Sequence, residues 1–358
     1  MNDIQSYPDE NQSTFPFMGE VPIHAPGHRV GIVGATGAVG GTLLKVLRER
    51  RFPVEDLRVY ASVSSRGKMI DSPFGAVMVE QLSKRRIPEL DYVFFAAGPE
   101  IARNWAWKFV RRGAVVIDKS PYFRSKEYAP LIVPEVNPDA IEKHRGIISN
   151  PNCTTVPLVV ALSPLHLKYK LRHVTAVTFQ SVSGAGKNGI RALGREMEDN
   201  DAEPSAFSHR IAYNVIPWIG RPRDQSSGEE LKMITETRRI LRLPRLSMRT
   251  TCVRVPTLIG HGIAVHAEFH NRVQLDEARE LLEASPGITL LDNSADAEYP
   301  TPLTSAGTDA VYIGRLRRDR GANSLAFFTV ADNLRKGAAT NAVQIAELLL
   351  SRYDSLQS

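Results

Sequence analysis

The seven residues SNPNCTT, 149 to 155, set one of the chain's two cysteines among polar neighbours, after apolar GII and before apolar VPLVVAL. A helix starting there would direct unpaired N–H groups at the sulfur of Cys153, which lowers a thiol pKa below ~8.5 and prepares a nucleophile. Pro157 fits the first helical turn, where a missing N–H costs little. Free cysteine is also among the most buried residue types, so placement alone leaves nucleophile and core residue both open. Cys252, inside the alternating TTCVRVPTL, reads as inert core.

Other segments carry groups that could serve such a sulfur. FQSVSGAGKNG (179 to 189) ends a strand in a glycine-rich turn and offers Gln180 to a carbonyl or a water. TTCVRVPTLIGHG supplies Arg254 on a strand and His261 in the turn after it, where by itself it reads as a satisfied loop histidine. SSGEELKM (226 to 233) starts a helix with a capping box from Ser227 to Glu230, so Glu230 could be only a cap, and Lys232 alone is an ordinary surface lysine.

A second chemistry lies near the start. GATGAVG (34 to 40) leaves a strand and opens a helix, the arrangement that brings backbone N–H groups and a positive helix end to a pyrophosphate. An NAD site carries an acid about 20 residues further on, at the ribose hydroxyl. Here YASVSSRGK (60 to 68) has none; Ser62, Ser64, Ser65, Arg66 and Lys68 offer donors and positive charge to a 2′-phosphate, which favours NADP.

Those residues need a scaffold. RVGIVGA (29 to 35), LRVYASV (57 to 63), DYVFFAAG (91 to 98) and AVVIDKS (114 to 120) are short apolar strands, and 40 to 52 has Leu43, Leu44 and Leu47 at helical spacing. Such alternation predicts a Rossmann-type α/β domain with a mostly parallel sheet, over 29–150. Beyond Cys153 the strands at 171–183, 250–258, 261–269, 309–319 and 324–332 alternate apolar with polar residues. With helices at 187–200, 228–242 and 274–284 they predict an α+β domain over 151–330, its sheet largely antiparallel. RKGAATNAVQIAELLLSRY (335 to 353) reads as a final helix that rejoins the first domain. Residues 1–28 carry four acids, four prolines and no lysine or arginine, and read as a loosely ordered extension, neither secretory signal nor transit peptide.

With 358 residues, 42% hydrophobic, 23% charged and a net charge of +6, the chain suits anionic small molecules. The basic residues are scattered, which argues against nucleic acid, and no apolar run reaches membrane-spanning length. Two cysteines fit a reducing cytoplasm rather than a disulfide framework.

Several motifs in one order match a family. Through GATGAVG, YFR with VPEVN, NPNCTT, QSVSGAGK, EELKM, TCVRVP followed by His261, and DNLRKGAATNAVQIAE, the chain resembles the aspartate-semialdehyde dehydrogenases from about Arg29 to about Leu350. The resemblance implies NADPH-dependent reduction of L-aspartyl-4-phosphate to L-aspartate-4-semialdehyde and phosphate, on the route to lysine, threonine and methionine. Cys153 would form a thioester, His261 act as general acid/base near its ordinary pKa of ~6.5, and Gln180 orient the reacting groups. Arg124 and Lys232, with Asn152 nearby, would hold the phosphate, Arg254 the α-carboxylate and Glu230 the α-ammonium. Gly34, Thr36, Gly37, Ala38, Val39, Ser62, Ser183, Gly184 and Asn341 would contact NADP(H), with Arg66 at its 2′-phosphate. No metal is part of this set. The family associates as homodimers, in some members tetramers.

The chain departs from the family pattern at three places. A-S-V-S-S-R-G-K replaces A-S-x-R-S-A-G-K, so Ser64 takes the usual arginine position and Arg66 stands two residues on. Lys119 stands where asparagine is usual, which adds a charge at the phosphate end, and Thr154 replaces serine. Of the rival readings, N-acetyl-glutamyl-phosphate reductase shares the chemistry but needs no carboxylate for an acylated amino group, and its cysteine loop reads NPGC. Glyceraldehyde-3-phosphate dehydrogenase has a different cysteine loop, S-C-T-T-N. A NADPH sensor that had lost activity would not need the full catalytic set.

Overall fold

The computed structural model describes residues 27–357, with side chains through 352, so all but the last two positions of the expected 1–28 extension lie outside the described residues. Seven strands form the first sheet: β1 (His28–Val33), β2 (Val54–Tyr60), β3 (Met69–Ser72), β4 (Gly75–Glu80), β5 (Tyr92–Phe95), β6 (Val115–Asp118) and β7 (Ile147–Ser149). Their order is β3-β4-β2-β1-β5-β6-β7, parallel throughout except where β3 pairs antiparallel with β4. The β3–β4 hairpin is absent from the sequence reading because Met69 and Met78 are exposed and no apolar alternation marks it. Helix α1 (Ala38–Glu49) packs Leu43, Leu44, Val46 and Leu47 on one face of the sheet, while α2 (Pro99–Val110) packs Ala102, Ala106 and Phe109 on the other.

The second sheet orders as β11-β8-β12-β15-β14-β13. Its strands are β8 (Leu171–Gln180), β11 (Ser247–Arg254), β12 (His261–Phe269), β13 (Ile288–Leu290), β14 (Val311–Arg318) and β15 (Ser324–Ala331); β9 (Pro222–Arg223) and β10 (Ser226–Ser227) make a separate small hairpin. Pairing is antiparallel except β8 with β11 and β13 with β14. β11 stops four residues short of its expected end because Pro256 has no N–H for the ladder. The sheet is flanked by α3 (Thr155–Tyr169), α4 (Gly186–Glu198), α5 (Gly228–Ile240), α6 (Leu275–Glu283) and the short α7 (Pro302–Ser305). Helix α3 is apolar around its whole circumference and runs through the core, as such helices must. Its N-terminus, where Cys153 sits, is thereby fixed.

The final helix differs from expectation. Arg335–Ala339 forms a wider π turn, and only then does α8 (Thr340–Gln357) begin, packing Ala342, Val343 and Ala346 against the first sheet. π turns recur at functional sites. Here the turn brings Gly337 onto the cysteine loop: a Cβ at 337 would lie 3.0 Å from the Cys153 carbonyl oxygen and 3.1 Å from its Cβ.

An ionic seam anchors this turn. The wholly buried Lys336 ammonium donates to both Glu135 carboxylate oxygens, at 2.6 and 2.7 Å, and to Gln344 Oε1 at 2.6 Å. Arg335 pairs with Glu49 and Asp309, and Arg50 with Glu347, tying α1 to α8. Removing one member of such a pair strands its partner. Lys336→Met is therefore expected to lower the unfolding free energy in urea by about 3–5 kcal/mol; a loss under about 1 kcal/mol would show that Glu135 is not left stranded.

Candidate active site

Strand register assembles the site. Gln180, the last residue of β8, stands opposite Arg254 on β11 and opposite His261 on β12. Paired residues project to one face of a sheet at strand spacings of about 5 Å, so an amide, a guanidinium and an imidazole meet at one sheet end. The turn after β8, Val182–Ala185, returns over them. At Gly184 a Cβ would lie 2.7 Å from Arg254 Nη1 and 3.2 Å from His261 Nε2, so only glycine leaves room.

The cysteine loop is fixed by its neighbours. Thr154 donates to Asn152 Oδ1 through its backbone N–H at 2.9 Å and its hydroxyl at 2.6 Å. Asn152 in turn donates to Glu229 Oε1 from its side chain at 2.8 Å and to Glu236 Oε2 from its backbone at 2.6 Å. Helix α5 therefore presents Glu229, Lys232 and Glu236 along one face, three and four residues apart. Lys232 pairs with Glu229 at 2.9 Å, and Glu236 pairs with Arg124 at 2.9 Å. Gln180 Nε2 donates to Glu229 at 3.2 Å.

A cavity of about 350 Å³ opens among these groups. Cys153, Asn152, Gln180, Gly184, Glu229, Lys232 and Arg254 line it from one side, and Val39, Ala97, Gly98, Lys119 and Arg124 from the nucleotide half. A second hollow of about 400 Å³ lies on the outer face of the second sheet between His266, Tyr299 and Phe328, and no cysteine lines it.

Electrostatics divide the roles. Burial raises the Cys153 thiol above its ordinary value, opposed first by Lys119 and then by Arg124 and Arg254. Burial alone would raise Glu229 as well, but the Lys232 ammonium and the Asn152 and Gln180 amides bring it down to about 2, so it is a carboxylate at neutral pH. Burial, then Arg254, pushes His261 down to about 3. The ordinary value near 6.5 expected from the sequence is thus displaced, because the ring is enclosed and faces a guanidinium. Ser181 N–H donates to His261 Nδ1 at 3.1 Å, which assigns the ring proton to Nε2, and Nε2 has no partner among the described residues. The result is a neutral imidazole with a free, directed donor.

Two sequence expectations change. Glu230 is not in the cavity. Its carboxylate accepts from the Ser227 N–H at 2.8 Å in a complete capping box and from the Cys252 N–H at 3.2 Å. The neighbouring Glu229 occupies the cleft instead. The signal was present, since the capping box consumes one of the two adjacent glutamates and the spacing to Lys232 selects the other. Asn341 is likewise outside the cleft: it is wholly buried and donates to Asn150 Oδ1 at 2.7 Å and to the Ile132 carbonyl at 3.0 Å. Nearer the site is Asn333, which the sequence reading did not single out; its side chain bonds Ser181, Ser183 and the Gly260 N–H. Ser183 is buried in that cluster, and Cys252 is buried against Met233, its thiol pushed up to about 12 by burial.

The nucleotide turn fits a dinucleotide. Gly34 has φ +92°, and a Cβ there would sit 2.7 Å from the Ala96 carbonyl oxygen; at Gly40 it would sit 2.3 Å from the Gly34 carbonyl oxygen. Gly37 caps α1 with no side-chain bond, which leaves the helix's first N–H groups free. Thr36, Ala38 and Val39 complete the turn beside the gap between β1 and β5, where the strand order reverses and open α/β sheets bind ligands. Ser62 and Arg66 are exposed at the end of β2, with Ser62 Oγ 2.9 Å from Ser64 Oγ.

Residues 29–144 match the family described as semialdehyde dehydrogenase, NAD binding domain, and residues 162–336 the one described as semialdehyde dehydrogenase, dimerisation domain. An aspartate-semialdehyde dehydrogenase of Aquifex aeolicus is 44% identical over 90% of this chain and 98% of its own length. A crystal structure of aspartate semialdehyde dehydrogenase II from Vibrio cholerae, described as complexed with ASA, is 40% identical with a TM-score of 0.88, covering 92% of this chain and 100% of that one. The enzyme from Candida albicans, described as a structure with NADP, is 25% identical with a TM-score of 0.72 over 90% of this chain and 98% of its own. The chain belongs to the aspartate-semialdehyde dehydrogenase family.

The two glutamates separate experimentally. Glu229→Gln is expected to lower kcat/KM at least about a hundredfold, the cost of an unpaired buried charge partner. Glu230→Ala is expected to keep most activity and to cost about 1–2 kcal/mol in urea unfolding through loss of the capping box. The opposite pattern would return the substrate role to Glu230.

Proposed function

We propose that the protein reduces L-aspartyl-4-phosphate with NADPH to L-aspartate-4-semialdehyde and phosphate through a thioester on Cys153, in the synthesis of lysine, threonine and methionine. The observation that carries this reading is a single cavity joining a cysteine to an ionised carboxylate and an arginine that has no carboxylate partner among the described residues. Such a pair of opposite charges suits the ammonium and α-carboxylate of an amino acid. It disfavours an N-acylated substrate, which brings no ammonium to Glu229.

In this mechanism Arg254 takes the α-carboxylate and Glu229 the α-ammonium, which sets the acyl phosphate beside Cys153. The thiolate attacks the carbonyl carbon, the C–O bond to phosphate breaks, and its electron pair leaves with phosphate between Arg124 and Lys232. Bound NADPH supplies a hydride to the thioester carbon. His261 Nε2–H polarises the acyl oxygen. A substrate carboxylate on Arg254 removes one of the two influences that hold the imidazole low, so the ring regains basicity when a proton must be handed on. Breaking of the C–S bond then releases aldehyde and restores the thiolate.

The cofactor end favours NADP. Serine hydroxyls and Arg66 follow β2 with no acid among them, and the Arg66 guanidinium has no ion-pair partner among the described residues. The outer face of the second sheet, with half-exposed Phe179 and Tyr299 around the 400 Å³ hollow, suits a second copy of the chain.

Mixing the protein with aspartyl phosphate and no NADPH is expected to add an aspartyl group to Cys153 by mass spectrometry, and Cys153→Ala to abolish both adduct and turnover. Absence of any adduct, or no phosphate-dependent reduction of NADP⁺ by aspartate semialdehyde, would defeat the reading. Arg66→Ala is expected to raise KM for NADPH about tenfold or more while leaving KM for NADH nearly unchanged, the loss of one charge-assisted phosphate contact. Equal effects on both cofactors would remove Arg66 from the 2′-phosphate.

A further inference from the structure

We propose that Lys119 is the counter-ion of the Cys153 thiolate, a positioning residue that offsets the cost burial places on ionising the sulfur. This rests on the reading of Cys153 as nucleophile.

Most cations in the cavity are already engaged. Arg124 is paired with Glu236 at 2.9 Å and Lys232 with Glu229 at 2.9 Å. Arg254 donates to the Ser181 carbonyl at 2.6 Å and lies against His261. Lys119 lines the same cavity as Cys153, and among the described residues its ammonium has neither a carboxylate within ion-pair distance nor a hydrogen-bond partner. Its backbone is nevertheless held on both sides. Lys119 N–H donates to the Phe95 carbonyl at 3.0 Å, and its own carbonyl accepts from Arg124 Nη2 at 2.6 Å. Asp118, just before it, is fixed by the Ser120 N–H and hydroxyl at 2.9 and 2.7 Å. The lysine thus carries an uncommitted ammonium on a fixed backbone, in a cavity it shares with the thiol.

The mutual electrostatics agree with the geometry. Burial lowers the Lys119 ammonium and raises the Cys153 thiol, and each is the strongest influence opposing that effect on the other. Glu229 works against the thiolate, and Arg124 and Arg254 assist from further down the order. A neutral side chain at 119 would supply none of this. When the S–C bond forms and the C–O bond to phosphate breaks, negative charge moves from sulfur to the departing oxygen. Lys119 shares its cavity with Arg124 at the phosphate end, so the same ammonium is then released to the leaving group.

The test is the pH profile of iodoacetamide alkylation of the full-length protein, read by mass spectrometry on the peptide carrying Cys153. The charged groups that share the cavity with the sulfur and could shape this profile are Lys119, Arg124, Glu229, Lys232 and Arg254, with His261 behind Gly184. Lys119→Met and Lys119→Asn are expected to move the midpoint up by about one pH unit or more, slowing alkylation about tenfold below both midpoints. Lys119→Arg is expected to restore most of the rate, which a merely structural role would not require. An unchanged midpoint in Lys119→Asn, or a shift seen in His261→Ala but not in Lys119→Met, would overturn the assignment. Alkylation needs neither aspartyl phosphate nor NADPH, so a failure of the proposed reaction would leave this result standing on its own.

Discussion

The site depends on one buried carboxylate. Glu229 accepts from Asn152 in the cysteine loop, from Gln180 at the end of β8 and from Lys232 one turn along α5. Three separate parts of the chain are thus held to a single group. A buried carboxylate with three donors stays ionised well below neutrality, and here the donors overcome the burial that opposes them. Its charge also works against the sulfur next to it, which is why the cavity needs more positive charge than the substrate's anionic groups alone would call for.

Close backbone approach matters as much as charge. Gly184 and Gly337 bound the reactive region from two sides, one against Arg254 and His261, the other against Cys153 itself. Neither can carry a side chain without moving a reacting group. The π turn that delivers Gly337 is continuous with the buried Lys336–Glu135 pair, so the cysteine loop is supported by the seam that also joins α1 and α8. Buried ion pairs give little net stability but resist alternative arrangements. Fixing one loop suits that property.

Much of this was legible in the chain. Strand–glycine–helix alternation at 29–52 marks the parallel sheet, alternating patterns from 171 onward mark the second sheet, and the polar cysteine loop before an apolar run marks the start of α3. What escaped is physical in origin. The choice between Glu229 and Glu230 turns on which of two adjacent side chains faces inward, a matter of 100° around a helix that residue type does not encode. Asn333 and Asn341 both sit in the DNLRKGAATN run, and an unbroken helix would place them differently from one opened by a π turn. The pKa of His261 depends on Arg254, 7 positions earlier in sequence and brought beside it only by the pairing of both strands with β8.

That shared pairing with β8 has a further consequence. Side chains alternate faces along a strand, so a slip of β11 or β12 by one residue would turn Arg254 or His261 to the opposite side of the sheet. No partly competent intermediate lies between the two alignments. On the proposed roles of Arg254 and His261, catalytic competence therefore reports on correct assembly of the whole second sheet, and errors in strand alignment would surface as inert molecules rather than sluggish ones.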